Sequence, residues 1–176
     1  MIVILMGVTA SGKTTIGRKL AATLGWQYAE GDDYHSEANK QKMHQGIPLT
    51  DEDRAPWLAT LHDLLMGWYR SGISGVLACS ALKQSYRDVL SAGIPEEALR
   101  FVLLEVPRAT LEHRLAERRN HYMSPALLDS QIATLEQPKD AIRVRGDLPP
   151  DEVVQQIIAA IGADPRLPAE SRPPES

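Results

Sequence analysis

The chain has 176 residues, 43% of them hydrophobic and 24% charged, with a formal net charge of −4 and one cysteine, Cys79. That length supports a single domain with a proper core, and the acidic balance speaks against a surface built for nucleic-acid phosphates. A lone cysteine excludes an intrachain disulfide and a cysteine-built zinc site, and no run approaches the roughly 20 apolar residues of a membrane span, so a cytoplasmic, enzyme-sized domain is expected.

In chain order, the first apolar run covers residues 2–6, has no basic stretch before it and is too short for a signal segment; it reads as a strand. Gly7 to Thr15, GVTASGKTT, follows directly, and Ile16, Leu20 and Leu24 then share one face of a helix predicted over Lys13–Leu24. A second strand at residues 26–29 runs into Glu30-Gly31-Asp32-Asp33. Trp57, Leu58, Leu61, Leu64, Leu65 and Trp68 make a wide helical stripe, with both tryptophans read as core. Asp53 is the expected N-cap of that helix, with Pro56 at N3, where no intrahelical N–H is lost. Strands at 75–79, 100–106 and 141–144 alternate with helices expected at 83–90, 108–118, 125–135 and 150–161. Such alternation predicts an α/β fold with a parallel sheet covered by helices on both faces. A single domain is expected at 1–161, and residues 162–176, with four prolines and no apolar periodicity, read as a disordered tail.

Gly7-x-x-x-x-Gly12-Lys13-Thr14 satisfies the P-loop pattern between a strand and a helix. Its glycines let successive backbone N–H groups turn toward phosphate oxygens, and the helix adds its positive dipole end. The nucleotide-binding candidates are therefore Gly7, Val8, Thr9, Ala10, Ser11, Gly12, Lys13, Thr14 and Thr15. Lys13 is suited to the β- and γ-phosphates and the Thr14 hydroxyl to Mg²⁺. The Asp-x-x-Gly and Asn-Lys-x-Asp patterns of GTPases are missing, and the strand at 75–79 ends in Cys79-Ser80 with no carboxylate. The acids instead follow the second strand, which fits a small phosphotransferase better than a motor.

Ligands of open α/β sheets bind beyond the carboxyl ends of the strands, which favours Asp32 as an acid that accepts a hydroxyl proton or holds Mg²⁺-bound water. A solvated loop acid is the alternative there, and for Asp33 it is the equal reading. Ser80, Lys83 and Arg87 face the same crevice if Lys83 opens a helix; an ordinary solvated basic face is the alternative. Arg114 precedes, and Arg118 and Arg119 open, an expected lid at about 118–125, where arginines would neutralise a transferring phosphoryl group and water would be shut out. A basic helix end complementing the dipole is the alternative reading.

Together these stretches resemble the gluconokinases (D-gluconate 6-kinases) of the small P-loop kinase group, which also includes shikimate and adenylate kinases. The resemblance runs from Met6 to about Pro138, through MGVTASGKT, the segment from GDDYH to DEDRAPWL, CSALKQSYRD and LLDSQIATLEQP. It implies a nucleoside-monophosphate-kinase-like fold with a five-stranded parallel sheet, and often a homodimer. It implies ATP with Mg²⁺ on Gly7–Thr14, Arg114 and Arg118 near the nucleotide or lid, and gluconate against Asp32, His35, Arg54 and the Ser80–Lys83 turn. The implied reaction is ATP-dependent phosphorylation of D-gluconate to 6-phospho-D-gluconate, with Lys13, Asp32 and Arg118 as the catalytic candidates. An anionic polyol needs a cation or two and many neutral partners; Arg54 and Lys83 supply charge, while His35, Ser80 and Asp32 bond hydroxyls. Two residues depart from the family pattern, Ala10 and Asn120, both where glycine is usual. A left-handed backbone at Ala10 would cost roughly 1 kcal/mol, whereas Asn tolerates that conformation best. The rival readings are a kinase of the same fold acting on shikimate or a related sugar acid, and a catalytically silent nucleotide-binding regulator.

Overall fold

The computed structural model describes residues 1–118 and 125–163. The expected lid, apart from its end residues, lies outside them with Arg119 and Asn120, as does the tail from residue 164 onward. The elements follow as β1 (Ile2–Met6), α1 (Lys13–Leu24), β2 (Gln27–Glu30), a 3-10 turn (Gly31–Tyr34), α2 (Glu37–His44) and α3 (Asp51–Arg70). Then come β3 (Gly75–Ala78), α4 (Gln84–Ser91), a 3-10 turn (Glu96–Ala98), β4 (Leu99–Glu105), α5 (Arg108–Glu117), α6 (Pro125–Thr134), β5 (Ile142–Arg145) and α7 (Pro150–Ile161).

The five strands form one parallel sheet in the order β2-β3-β1-β4-β5, with Ile4 of β1 opposite Leu77 of β3 and Phe101 of β4. Because β1 is central and covered on both sides, every one of its side chains is buried. Its residues alternate between two cores. Ile2, Ile4 and Met6 pack with Leu61, Leu65, Trp68 and Leu90 on the α3–α4 side. Val3 and Leu5 pack with Leu20, Val153 and Ile157 on the α1–α7 side. Each fully buried Leu or Ile contributes about 1.5–3 kcal/mol by leaving water. Gly75 lets Trp68 lie flat on the start of β3, since a Cβ there would stand 2.5 Å from the indole ring.

The start of α3 differs from expectation. Thr50, not Asp53, is the N-cap: its hydroxyl accepts from the Asp53 N–H at 3.1 Å, and the Asp53 carboxylate accepts from the Thr50 N–H at 3.0 Å. This reciprocal capping box places Asp53 at N3 and Pro56 inside the helix, where the Glu52 carbonyl loses its usual donor. The helix α2 carries no apolar stripe, and of its residues only Asn39 is buried. It holds by other means: Ser36 caps it by accepting from the Asn39 N–H, and the Asn39 side chain donates to the Asp53 carbonyl at 2.8 Å. Among the described residues no helix is long and apolar enough to cross a membrane.

Candidate active-site cleft

The carboxyl ends of β1, β2 and β3 open onto a cleft of about 470 Å³, whose walls include Thr9, Lys13, Asp32, His35, Arg54 and Ser80. The phosphate loop forms one end. Gly7 has φ 146° and Gly12 φ 101°, and a Cβ on Gly7 would stand 2.8 Å from Ser11 Oγ. Ala10 is left-handed, at φ 61°, so its roughly 1 kcal/mol cost is present in the folded chain. Ser11 Oγ is buried without a hydrogen-bond partner among the described residues. Loop, glycines and helix start thus form a concave cradle of N–H groups that fits a polyphosphate.

Within the cradle Lys13 Nζ donates to the Gly7 and Val8 carbonyls, each at 2.9 Å. Burial lowers its pKa, Asp32 and Glu30 pull it back up, and the nearby charge of Arg118 lowers it further. The Thr14 hydroxyl donates to Glu30 at 2.8 Å, and the Tyr28 hydroxyl donates to the same carboxylate oxygen at 2.6 Å. Thr15 is exposed on the first turn of α1. Arg114 donates to the Ala10, Ser11 and Gly146 carbonyls at 3.1, 3.4 and 2.8 Å. It therefore straps the loop to the turn after β5. Arg118 caps the C-terminal end of α5.

On the acceptor side, Asp32 sits in the exposed 3-10 turn, its Oδ1 4.0 Å from His35 Nε2. His35 is buried and stacked on Trp57, ring centroids 4.2 Å apart at 14°. Burial, then the charges of Arg54 and Lys40, push its pKa down to about 4, so the imidazole is neutral at pH 7. Its Nδ1 has no hydrogen-bond partner among the described residues. Trp57 is fixed in turn by donating to the Gly31 carbonyl at 2.7 Å. Asp33 is exposed and does not line the cleft.

The expected cations are used unequally. Lys83 donates to both oxygens of Asp51 at 3.0 Å, and the Tyr86 hydroxyl donates to the same carboxylate. Arg54 bonds two neutral oxygens, the Leu49 carbonyl at 2.6 Å and the Tyr86 hydroxyl at 3.3 Å, and lies over the Tyr86 ring. Arg87 is not in the cleft. It is 2% exposed and donates to the Ala81, Leu82 and Glu136 carbonyls and to Gln84, bracing the 81–84 turn from behind. The expected Lys83–Arg87 stripe does not form, because Lys83 precedes α4 with an extended backbone while Arg87 points inward.

Five residues beyond the sequence-derived candidates stand out. Glu30 meets Thr14; Asp51 holds Lys83; Ser130, Gln131 and Thr134 of α6 line the cleft; and Gln131 Oε1 accepts the Thr9 N–H at 2.6 Å. Glu30 and Asp51 stood in acid-rich stretches with nothing local to mark them. The α6 residues had a usable signal, the i, i+3, i+4, i+7 spacing of Leu127, Ser130, Gln131 and Thr134.

Comparison with known proteins gives a consistent set of likenesses. Residues 2–138 match the family model described as an AAA domain. Over 164 residues the chain is 45% identical to a gluconokinase of Gluconobacter oxydans (strain 621H), covering 92% of this chain and 91% of that protein. It superposes on an unliganded sugar kinase from Janibacter sp. HTCC2649 with TM-score 0.84 and 40% identity, over 93% of this chain and 95% of that one. A gluconokinase from Sinorhizobium meliloti 1021 gives TM-score 0.80 and 38% identity, over 91% and 90% of the two chains.

Proposed function

This chain belongs to the gluconokinase family of P-loop kinases, and from that premise we propose that it transfers the γ-phosphoryl group of ATP to the 6-hydroxyl of D-gluconate. The observation that carries the reading is one cleft walled by both the phosphate-loop Lys13 and the acid–cation set of Asp32 and Arg54. When bound, Mg·ATP supplies the phosphoryl group and a divalent charge. Thr14 is the residue to hold the metal, its hydroxyl oriented by Glu30, which already accepts its proton.

Asp32 accepts the proton of the 6-hydroxyl as that oxygen bonds to phosphorus and the bond from phosphorus to the ADP oxygen breaks. Lys13 and Arg118 offset the negative charge on the moving group, and such positioning and neutralisation outweigh proton removal in a loose transition state. The acceptor carboxylate goes to Arg54, because Lys83 is already neutralised by Asp51 while the hydrogen bonds of Arg54 end on neutral oxygens. His35, neutral and with no partner for Nδ1 among the described residues, and Ser80 bond hydroxyls along the carbon chain. Cytoplasmic action and a homodimer belong to the same proposal, the latter checked by light scattering.

The test is ADP formation from Mg·ATP with D-gluconate, shikimate, glucose, other aldonates or no acceptor. Turnover selective for gluconate, with 6-phosphogluconate as product, is expected. Preference for shikimate would overturn the acceptor assignment, and nucleotide binding without turnover on any acceptor would favour a silent regulator.

A further inference from the structure

The α6 segment has a division of labour that phosphate chemistry does not account for. Leu128 is 1% exposed and packs against Val8 and Ala10 of the phosphate loop, Leu82 of the acceptor turn and Leu111. Leu127, Ser130, Gln131 and Thr134 fall at i, i+3, i+4 and i+7, and all four line the cleft. One side of the helix is therefore an apolar anchor, and the other turns Leu127 and three neutral hydrogen-bonding side chains toward the cleft.

Both ends of that face are tied down. Gln131 Oε1 holds the Thr9 N–H at 2.6 Å, fixing the face to the phosphate loop. Past the end of α6, the Glu136 carboxylate accepts from the Gln84 N–H at 2.7 Å, the Glu136 N–H donates to the Leu82 carbonyl at 2.9 Å, and Arg87 donates to the Glu136 carbonyl at 2.9 Å. The helix thus bridges the phosphate loop and the acceptor turn. The Thr134 hydroxyl donates to the Ser130 carbonyl at 2.7 Å, which leaves its oxygen lone pairs to accept. His35, whose buried Nδ1 has no partner among the described residues, lines the same cleft. A carboxylate-bearing chain of hydroxyls needs such neutral partners along its length and charge at one end only.

We propose that Ser130 and Thr134 are specificity-determining residues that hydrogen-bond the hydroxyl chain of the acceptor, and that Gln131 is the positioning residue that fixes this face against the phosphate loop. The inference rests on the gluconate reading above. It assigns α6 the task of choosing among acids by their hydroxyls, separate from the clamping of the carboxylate by Arg54.

The experiment crosses substrate with variant, measuring kcat/KM for D-gluconate and its monodeoxy analogues on wild type, Ser130→Ala, Thr134→Val, Thr134→Ser and Gln131→Met. For wild type, loss of a hydroxyl that is read lowers kcat/KM about 5- to 10-fold, the size of one net hydrogen bond. In Ser130→Ala and Thr134→Val the penalty at one analogue position each falls below about 2-fold, since the partner is already gone. Thr134→Ser keeps the penalty. Gln131→Met flattens both penalties, a pattern that loss of stability alone does not produce. Gluconate turnover with the same deoxy penalties in every variant would overturn this inference and leave the proposed reaction standing. No turnover of gluconate by wild type would remove the reaction, and this inference with it.

Discussion

Arg54 and Lys83 lie on the same wall, yet their surroundings give them different work. Asp51 carries the charge of Lys83, whereas Arg54 meets only the Leu49 carbonyl and the Tyr86 hydroxyl through hydrogen bonds. Arg54→Ala should therefore raise KM for gluconate at least about 10-fold with a smaller change in kcat, because a charge-assisted bond made in ground and transition states alike is lost. Steady-state kinetics at saturating Mg·ATP checks this; an unchanged KM would hand the carboxylate to Lys83. Asp32→Asn should lower kcat by about 10²-fold or more and leave ADP-analogue binding measurable, since the side chain stays in the exposed turn and only its basicity goes. Near wild-type kcat would remove Asp32 as the base. Asp32 and the phosphate loop are marked locally in the sequence by a strand end and a glycine pattern, whereas Arg54 comes forward only through the family resemblance. The inward turn of Arg87 was not, because the carbonyls that hold it come from residues 81 and 82 and from Glu136, which the fold alone brings together.

At the scale of elements, apolar spacing located the sheet and most helices to within a residue or two, and α1 and α7 to the residue. Every strand had a buried face whose apolar run is visible without structure. The start of α3 and the existence of α2 were not legible, since both depend on hydrogen bonds rather than on an apolar stripe. Thr50 is the residue on which that difference turns. Thr50→Ala should lower the stability of the folded chain by about 1 kcal/mol, read from denaturant melts, and Thr50→Ser should restore it. The cap does more than start a helix: it orders Asp51, the partner of Lys83, one residue further on. A loss of stability in Thr50→Ala accompanied by a shift in gluconate KM is the expected pairing, and a melt unchanged by the substitution would deny the capping box its role.

For the molecule as a whole, acid sensitivity has a local source. The folded pKa of His35 lies at about 4, below the unfolded value of 6.5, so between those limits the unfolded chain binds more protons than the folded one. Stability from keeping His35 neutral is complete above about pH 6.5, and falls as pH drops toward 4, by on the order of 3 kcal/mol in all. Melting temperatures of wild type and His35→Phe should converge or cross as pH is lowered through this window; parallel curves would mean that His35 titrates alike in both states.

The placement of β1 at the middle of the sheet also has a temporal side. Ile2–Met6 leaves the ribosome well before its neighbours in the sheet, Gly75–Ala78 and Leu99–Glu105. At roughly 5–20 residues per second, the most apolar strand of the protein stays unpaired for about 4–14 s before the first flanking strand has been made. During that interval its backbone donors and acceptors are open to any other chain. The strand that joins the two cores in the finished molecule is thus the one that waits longest in the nascent chain for its first partner.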